Sequence, residues 1–296
     1  MIINASSLRD LYVGFKTSFN KALNNTASHW EKVAMRVVAV TAEENYSWLT
    51  GMPGIREWIG DRLILQLGAT RYVVENRDFE LTISIRRNHI EDDQYGIYAP
   101  CIEQMGLETK RHPDELVFGL LKNGFTKKCY DGQYFFDTDH IGYDENGEEV
   151  TVTNFTAGAA PAWYLLDCSQ PIKPLLYQER QPFIFESLTD GTNDHVFFRA
   201  KFIYGVRGRS NAGFGLWQLA HASKAEFNEA NFTAAREKLT SQKRQSGQPL
   251  GINPTHLVVP RSLEAAARKL INAQLINGGE SNIWANAAEL IVSDFL

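Results

Sequence analysis

The sequence predicts an α+β fold in which an N-terminal arm, a projecting two-stranded ribbon and a helix precede a region of mixed helices and strands. The ribbon is the most informative segment. It begins with the apolar run 63–67 (LILQL), and its later part, 79–85 (FELTISI), has apolar odd positions and polar even ones. Strict alternation is typical of a strand with one buried and one wet face. The acidic residues at 91–93 then predict a helix that begins at Gln94.

The ribbon needs a cover that the neighbouring sequence does not supply. Segments 72–75 and 79–85 flank a turn at 76–78, and an isolated hairpin is at best marginally stable in water. Because no second sheet is evident nearby in the chain, we expect neighbouring subunits to complete this one. The residues predicted to lie at that subunit interface are Leu63, Leu65, Tyr72, Phe79, Leu81, Ile83 and Ile85.

The remaining elements follow from periodicity and from helix-end signals. Apolar residues at helical spacing predict a short amphipathic helix in the arm and a second helix over 30–38. After the ribbon, Pro100 falls near the first turns of a helix, Pro113 opens a further helix, and Gly124 ends it. Strands are predicted at 163–166, 175–178, 183–186, 196–204, 255–259 and 290–292, with helices at 232–245, capped by Asn231, and 262–273.

Composition excludes several classes of protein. The net charge of −5 argues against a protein that grips nucleic acid, since such proteins carry a basic footprint. The basic pairs are scattered, and we expect Lys127, Lys128, Lys243 and Arg244 to be inward-facing contacts to nucleic acid at most. No stretch is apolar for the roughly 18 residues that span a bilayer, and the N-terminus lacks a secretion signal. Three widely spaced cysteines predict buried, reduced thiols in a cytoplasmic product.

Two segments carry residues that could support chemistry. Asp137, Asp139 and His140 could hold a divalent cation, but acidic residues this close more often organise a turn. The glycine-rich segment 204–215 (YGVRGRSNAGFG) suggests a phosphate loop, although its spacing is not GxGxxG. Nucleophile-elbow, HExxH and P-loop motifs are missing from the sequence. We therefore predict no catalytic residues, no metal and no cofactor.

A series of short motifs, in order along nearly the whole chain, resembles the major head (capsid) subunits of Mu-like bacteriophages, the gpT family. The opening MIINASSLRDLYVGFK also resembles the start of that family. The motifs are Trp48, REW at 56–58, GDR at 60–62, Tyr72, FELTI at 79–83, IEDD at 90–93, Gly96, HPDELV at 112–117, YDGQ at 130–133, DH at 139–140, Gly213, Gly215, WQLA at 217–220, AAR at 234–236, PLGI at 249–252 and LVVP at 257–260.

The resemblance implies the Hong Kong ninety-seven-type capsid fold of tailed phages, with an N-terminal arm, an extended two-stranded loop, a peripheral domain with a spine helix, and an axial domain. The expected division is an arm and entry helix at 1–45, the extended loop at 46–92, the peripheral domain at 93–209, the axial domain at 210–275, and a C-terminal return to the peripheral domain at 276–296. Because the ribbon begins by residue 55, no room remains for a long N-terminal scaffolding domain, and we expect scaffolding to be a separate protein.

The function that the resemblance implies is structural. Copies of the chain, as hexamers and pentamers, would close an icosahedral shell around the double-stranded DNA of a Mu-like tailed phage or prophage. The expected partners are further copies, a separate scaffolding protein or protease, a portal, a decoration protein and weakly contacted DNA, with assembly in the bacterial cytoplasm and no membrane. Two alternatives stay open: an encapsulin-like compartment, and a cytoplasmic metal-dependent enzyme that uses Asp137, Asp139 and His140.

Overall fold

Two β-sheets and one long helix organise the chain in a computed structural model that describes residues 2–46, 49, 71–92, 94–276 and 279–296. The first sheet has four strands in the order β1-β9-β10-β4. Strands β9 and β10 run antiparallel as a long hairpin, β1 joins β9 in parallel, and β4 joins β10 antiparallel. The bounds of these strands are β1 Ala34–Val38, β4 Arg77–Arg86, β9 Leu175–Leu188 and β10 Lys201–Phe214.

The second sheet has five strands in the order β15-β12-β8-β11-β7. Strand β8 lies at its centre, antiparallel to both neighbours, and all four of its side chains are buried. A strand buried on both faces is a continuous apolar run, as WYLL at 163–166 is. The strands are β7 Phe155–Thr156, β8 Trp163–Leu166, β11 Ala220–Ser223, β12 His256–Pro260 and β15 Glu289–Ser293.

Shorter elements connect these sheets. Three two-stranded pairs are β2 with β3, β5 with β6, and β13 with β14. The helices are α1 Ala5–Asn25, α2 Trp30–Val33, α3 Arg87–Glu91, α4 Ala99–Lys122, α5 Asp194–Arg199, α6 Glu229–Thr240 and α7 Glu264–Ile271. The short strands are β2 Glu43–Asn45, β3 Val73–Glu75, β5 His140–Tyr143, β6 Glu149–Val152, β13 Leu275–Ile276 and β14 Glu280–Ser281.

Helix α4 is the spine that the resemblance implies, and it joins the two cores. Ile102 and Met105 in its first half lie in a cluster with α1 and the four-stranded sheet. Val117 and Phe118 in its second half lie in the larger cluster around the five-stranded sheet. Two helices separated at Pro113 were predicted, and this is wrong, because α4 runs through Pro113. Proline removes one backbone donor from a helix, but burial of apolar residues on both sides of it keeps the helix continuous.

The aspartate beside this proline links helix α4 to another segment of the chain. Asp114 follows Pro113 but caps a second helix instead of its own. Its carboxylate accepts hydrogen bonds from the Ser28 hydroxyl at 2.9 Å and from the backbone N–H groups of His29 and Trp30 at 2.9 and 2.7 Å. Unpaired N–H groups at a helix start favour such an acceptor. Asp114 therefore fixes the entry of the chain into α2 and β1 against the spine.

Several other local predictions differ from the structure. Residues 30–38 form a single helical turn followed by β1, and the strand predicted at 196–204 is α5 followed by β10. The cap of α6 is Asn228, whose side chain accepts from the N–H of Asn231. The glycine-rich segment 204–215 lies largely in β10, paired with strands on both sides, so it is not a phosphate loop.

The predicted pairing of the ribbon is wrong. Strand β3 pairs with β2, whereas β4 pairs along its whole length with β10, for example Ile83 with Tyr204. The two strands are separated only by Asn76 and belong to different sheets. The partner of β4 is more than a hundred residues away in sequence, so local patterning gives no sign of it. The alternation in β4 is correct, and most of the cover of its apolar face comes from the same chain.

The predicted domain boundaries do not follow the sheets. Strand β10 crosses the boundary at 209/210. Strand β8, from the predicted peripheral part, pairs with β12, from the predicted axial part. Strand β15 of the predicted C-terminal return also pairs with β12. The division into peripheral and axial parts stays a prediction, without support for these boundaries.

Candidate assembly surfaces

The apolar face of β4 is covered mostly from within its own subunit. Ile85 is fully buried in the cluster that contains α1 and α4, and Ile83 packs against the same cluster. The Phe79 ring meets the His112 ring edge-on at 4.1 Å between centroids. Leu81 is the exception, with 38% of its surface exposed. Of the residues in β4 predicted to face a neighbour, Leu81 is thus the most available.

Two of the predicted interface residues make contacts within their own subunit, and they differ in burial. The hydroxyl of Tyr72 accepts a hydrogen bond from the Phe214 N–H at 2.7 Å, and burial raises the pKa of Tyr72. Ile85 has no exposed surface. Ile85 cannot contact a second subunit, so the prediction is corrected for Ile85, whereas Tyr72 is only partly buried and its place at an interface stays a prediction. Leu63 and Leu65 lie outside the described residues.

The four-stranded sheet has an outer strand at each edge. Strand β4 pairs on one side only, and so does β1, within the part of the chain that the structure describes. Val38 in β1 and Val40 just after it are 69% and 73% exposed. Unpaired strand edges with apolar side chains are templates for contact with another chain. Both edges are therefore candidate assembly surfaces.

Helix α5 presents a third surface that the sequence reasoning missed. It lies between β9 and β10, and Phe197 and Phe198 on it are 72% and 78% exposed, with their rings edge-to-face at 5.3 Å. The Asn193 side chain caps α5, and Ala200 ends it in the left-handed conformation with φ of 46°. The Asn-Asp pair at 193–194 is the local signal that could have indicated a helix start there.

The basic residues predicted to face inward differ in their surroundings. Lys127 and Lys128 are exposed and follow the C-terminal end of α4. Lys243 lies 3.7 Å from the Glu145 carboxylate, and Arg244 is partly buried with its guanidinium at 3.5 Å from the Leu250 carbonyl. Lys127 and Lys128 are therefore the better candidates for weak contact with phosphate groups, and that role stays a prediction.

The metal-like cluster is not assembled as a ligand set. His140 is fully buried, stacks on the Trp217 ring at 4.0 Å, and places Nδ1 2.7 Å from Oδ2 of Asp131. Asp137 accepts from the backbone N–H groups of Tyr134 and Thr138, as a turn-former does, and Asp139 is exposed. Across the described ranges, no group of three or more His, Cys, Asp or Glu side chains could hold a metal ion.

The His140–Asp131 pair is instead part of a buried polar network. Burial of Asp131 opposes its ionisation, but hydrogen bonds from His140, from the Cys129 thiol and from the Gln133 N–H outweigh burial and lower the pKa of Asp131. Burial also raises the pKa of Cys129, which keeps the thiol protonated. A protonated, buried thiol is inert as a nucleophile. The network organises the segment between α4 and β5.

No helix within the described residues is long and apolar enough to cross a membrane.

Comparison with known proteins gives matches along the whole chain. The family model described as Mu-like prophage major head subunit gpT matches residues 8–296. The Mu-like prophage FluMu major head subunit of Haemophilus influenzae is 42% identical over 275 residues, covering 90% of this chain and 89% of that protein. The major capsid protein of Escherichia phage Mu is 39% identical over 305 residues, with all of both chains covered.

Solved structures match over a similar span. A chain of the procapsid of bacteriophage JBD30 is 41% identical with a TM-score of 0.87, covering 99% of this chain and 100% of that one. A chain of the JBD30 capsid is 29% identical with a TM-score of 0.78, covering 100% and 99%. A chain of the JBD30 capsid decorated with minor capsid protein trimers is 28% identical with a TM-score of 0.72, covering 91% and 90%. These likenesses confirm the capsid fold.

Proposed function

The chain belongs to the family of Mu-like prophage major head subunits, gpT, and from this premise we propose how its copies form a head. It is a major capsid subunit of a Mu-like phage, and it assembles with further copies of itself. In our proposal, hexamers and pentamers of the chain close an icosahedral shell around double-stranded DNA. The observation that carries it is the match to a procapsid chain over 99% of this chain at a TM-score of 0.87.

The contacts between subunits are proposed from the exposed apolar residues. The extended loop, 46–92, would lie on a neighbouring subunit through Leu63, Leu65 and Leu81. The partly buried Tyr72, Phe79 and Ile83 would lie at the border of the contact. Leu81 supports this, since it stays 38% exposed on a strand whose outer edge is free among the described residues. Apolar side chains on free strand edges are a liability in a monomer, and a shell would cover them.

The other proposed partners rest on likeness to relatives. The JBD30 capsid carries trimers of a minor capsid protein, and we propose a decoration protein here as well. A separate scaffolding protein or protease and a portal would act during assembly in the bacterial cytoplasm. Contact with packaged DNA would be weak and non-specific, because the chain carries a net charge of −5 and affinity for DNA depends on phosphate neutralisation.

We also propose that the chain catalyses no reaction. The described side chains at Asp137, Asp139 and His140 do not converge on one point, because His140 is buried against Trp217 while Asp139 is exposed. Replacing all three with Ala should leave the metal content unchanged in elemental analysis. Stoichiometric zinc, magnesium or calcium in the native protein that is lost in the triple variant would support the enzyme alternative.

One experiment tests the main proposal. Particles purified from cells that express the chain with its assembly partners should appear as closed icosahedral shells in electron micrographs. DNA that resists nuclease inside shells filled in an infected host would identify a phage head. Cargo protein in place of DNA would instead indicate an encapsulin-like compartment. Dispersed subunits under every assembly condition would contradict the proposal.

A further inference from the structure

Two adjacent aromatic side chains project from the turn between β9 and β10. Phe197 and Phe198, here called the aromatic knob, are 72% and 78% exposed. Val196, which precedes them on α5, is buried in the cluster of the four-stranded sheet, so the short helix is anchored and the knob is held outward. Two neighbouring exposed phenylalanines are unusual on a soluble surface, and such patches mark interaction sites.

The same chain has a concave surface that matches the knob in size. A cavity of about 390 Å³ lies between α1 and the start of α4 and is here called the α1–α4 groove. It is open where two glycines line it, because a Cβ built at Gly14 or Gly96 meets no atom within 4 Å. The residues that line the groove include Asp10, Gly14, Phe15, Tyr95, Gly96 and Ala99. This volume lies near the lower end of the roughly 300–1,000 Å³ of ligand pockets and suits aromatic rings.

Charge is complementary between the two surfaces. Arg199 and Lys201 flank the knob, and neither forms an ion pair with any residue that the structure describes. In the groove Asp10 is exposed, and Glu103 lies one turn beyond Ala99 on the same face of α4. These two carboxylates are likewise unpaired among the described side chains. Asp194, at the start of α5, is exposed as well, so the complementarity is confined to the two basic side chains beside the knob and the two carboxylates at the groove.

We propose that the aromatic knob of one subunit inserts into the α1–α4 groove of a second copy of this chain. The inference rests on the proposed function, since a shell of identical subunits must join different patches of the chain head to tail. Aromatic rings bury on the order of 150–250 Å² each, and interface energy concentrates in such anchors. The Arg199 guanidinium would pair with the Asp10 carboxylate at the rim of the contact.

Cross-linking between differently marked subunits tests the contact. Both chains carry Cys101→Ser, because Cys101 is an exposed free thiol. One chain also carries Gly14→Cys, which the open space at Gly14 permits, and the other carries Phe198→Cys. After mixed assembly and mild oxidation, a disulfide-linked heterodimer should appear on a non-reducing gel from shells and not from dispersed subunits. The matched control replaces Phe198→Cys with Ile283→Cys, at a side chain that is 75% exposed.

A charge exchange provides a second readout that needs no cysteine. Asp10→Arg and Arg199→Glu should each lower the shell yield about tenfold, since like charges would then meet, and the double variant should recover most of it. Two results would overturn the contact and leave the proposed function standing. One is shells that give no more disulfide-linked heterodimer than the Ile283→Cys control, and the other is a double variant whose shell yield is no higher than that of the single variants. If the unmodified chain never forms shells, both the proposed contact and the proposed function are overturned.

Discussion

Because α1 packs closely against part of α4, replacing two glycines of α4 by alanine should change the free energy of unfolding in opposite directions. A Cβ at Gly106 would lie 2.5 Å from the Phe19 carbonyl oxygen, 3.1 Å from the Ala22 Cβ and 3.2 Å from the Leu23 N. The first of these is a backbone atom and cannot rotate away. Gly106→Ala therefore forces α1 outward by roughly 0.9 Å, from 2.5 Å to the 3.4 Å at which ordinary contact begins.

The expected magnitude follows from what that displacement separates. Leu11, Phe15 and Phe19 are the buried side chains of α1. A gap of 0.5–1 Å forfeits about a quarter to a half of the attraction at each contact, and overpacking typically costs about 1–3 kcal/mol. Replacing glycine by alanine within a helix returns about 0.8–1 kcal/mol. The overpacking cost less this gain should lower the free energy of unfolding of Gly106→Ala by up to about 2 kcal/mol.

The matched control lies on the same helix. A Cβ at Gly119 meets no atom within 4 Å, so Gly119→Ala should raise the free energy of unfolding by about 0.5–1 kcal/mol through helix propensity alone. Urea unfolding of dispersed subunits, followed by circular dichroism, measures both changes. If Gly106→Ala proved as stable as Gly119→Ala, α1 would not be held against α4 as closely as the structure shows.

Three further predictions concern a cap, a buried histidine and the strand edge. Asp114→Ala should lower the free energy of unfolding by about 3 kcal/mol or more, because the buried N–H group of Trp30 and its neighbours lose their acceptor. The control Glu115→Ala should change it by no more than about 0.5 kcal/mol, and equal effects in urea unfolding would count against the cap. Burial, with Lys238 nearby, lowers the pKa of His221 to about 3. Below about pH 6.5 the unfolded chain therefore binds a proton at His221 that the folded chain does not bind. As the pH falls from about 6.5 to 3, His221 should lower the free energy of unfolding by up to about 1.4 kcal/mol per pH unit. His221→Asn should flatten that slope in melts across this range, and an unchanged slope would refute the assignment. Leu81→Asp should reduce the yield of shells, counted in micrographs, far more than it reduces subunit stability, whereas Ser84→Asp on the opposite face of β4 should leave the shell yield unchanged. Equal shell yields for the two variants would show that Leu81 does not lie at the interface.

The sequence determined those features that depend on neighbours within a few residues. The alternation in 79–85 correctly assigned a buried and a wet face to β4, because a strand has a side-chain period of two. The apolar runs at 163–166 and 255–259 correctly indicated buried strands. The order of short motifs was sufficient to identify the family, since it depends on residue identities alone.

Only the tertiary structure decided which surfaces those faces meet. The partner of β4 is β10, whose residues start more than a hundred positions later, and no local period encodes a partner at that distance. The break predicted at Pro113 was overridden because the residues on both sides of it are buried in two different cores. Asp114 satisfies donors some 85 residues away, so its role as the cap of α2 arises only once the chain has folded. Local periodicity fixes which face of an element is apolar, whereas close packing and hydrogen bonding between distant segments select the surface that covers it.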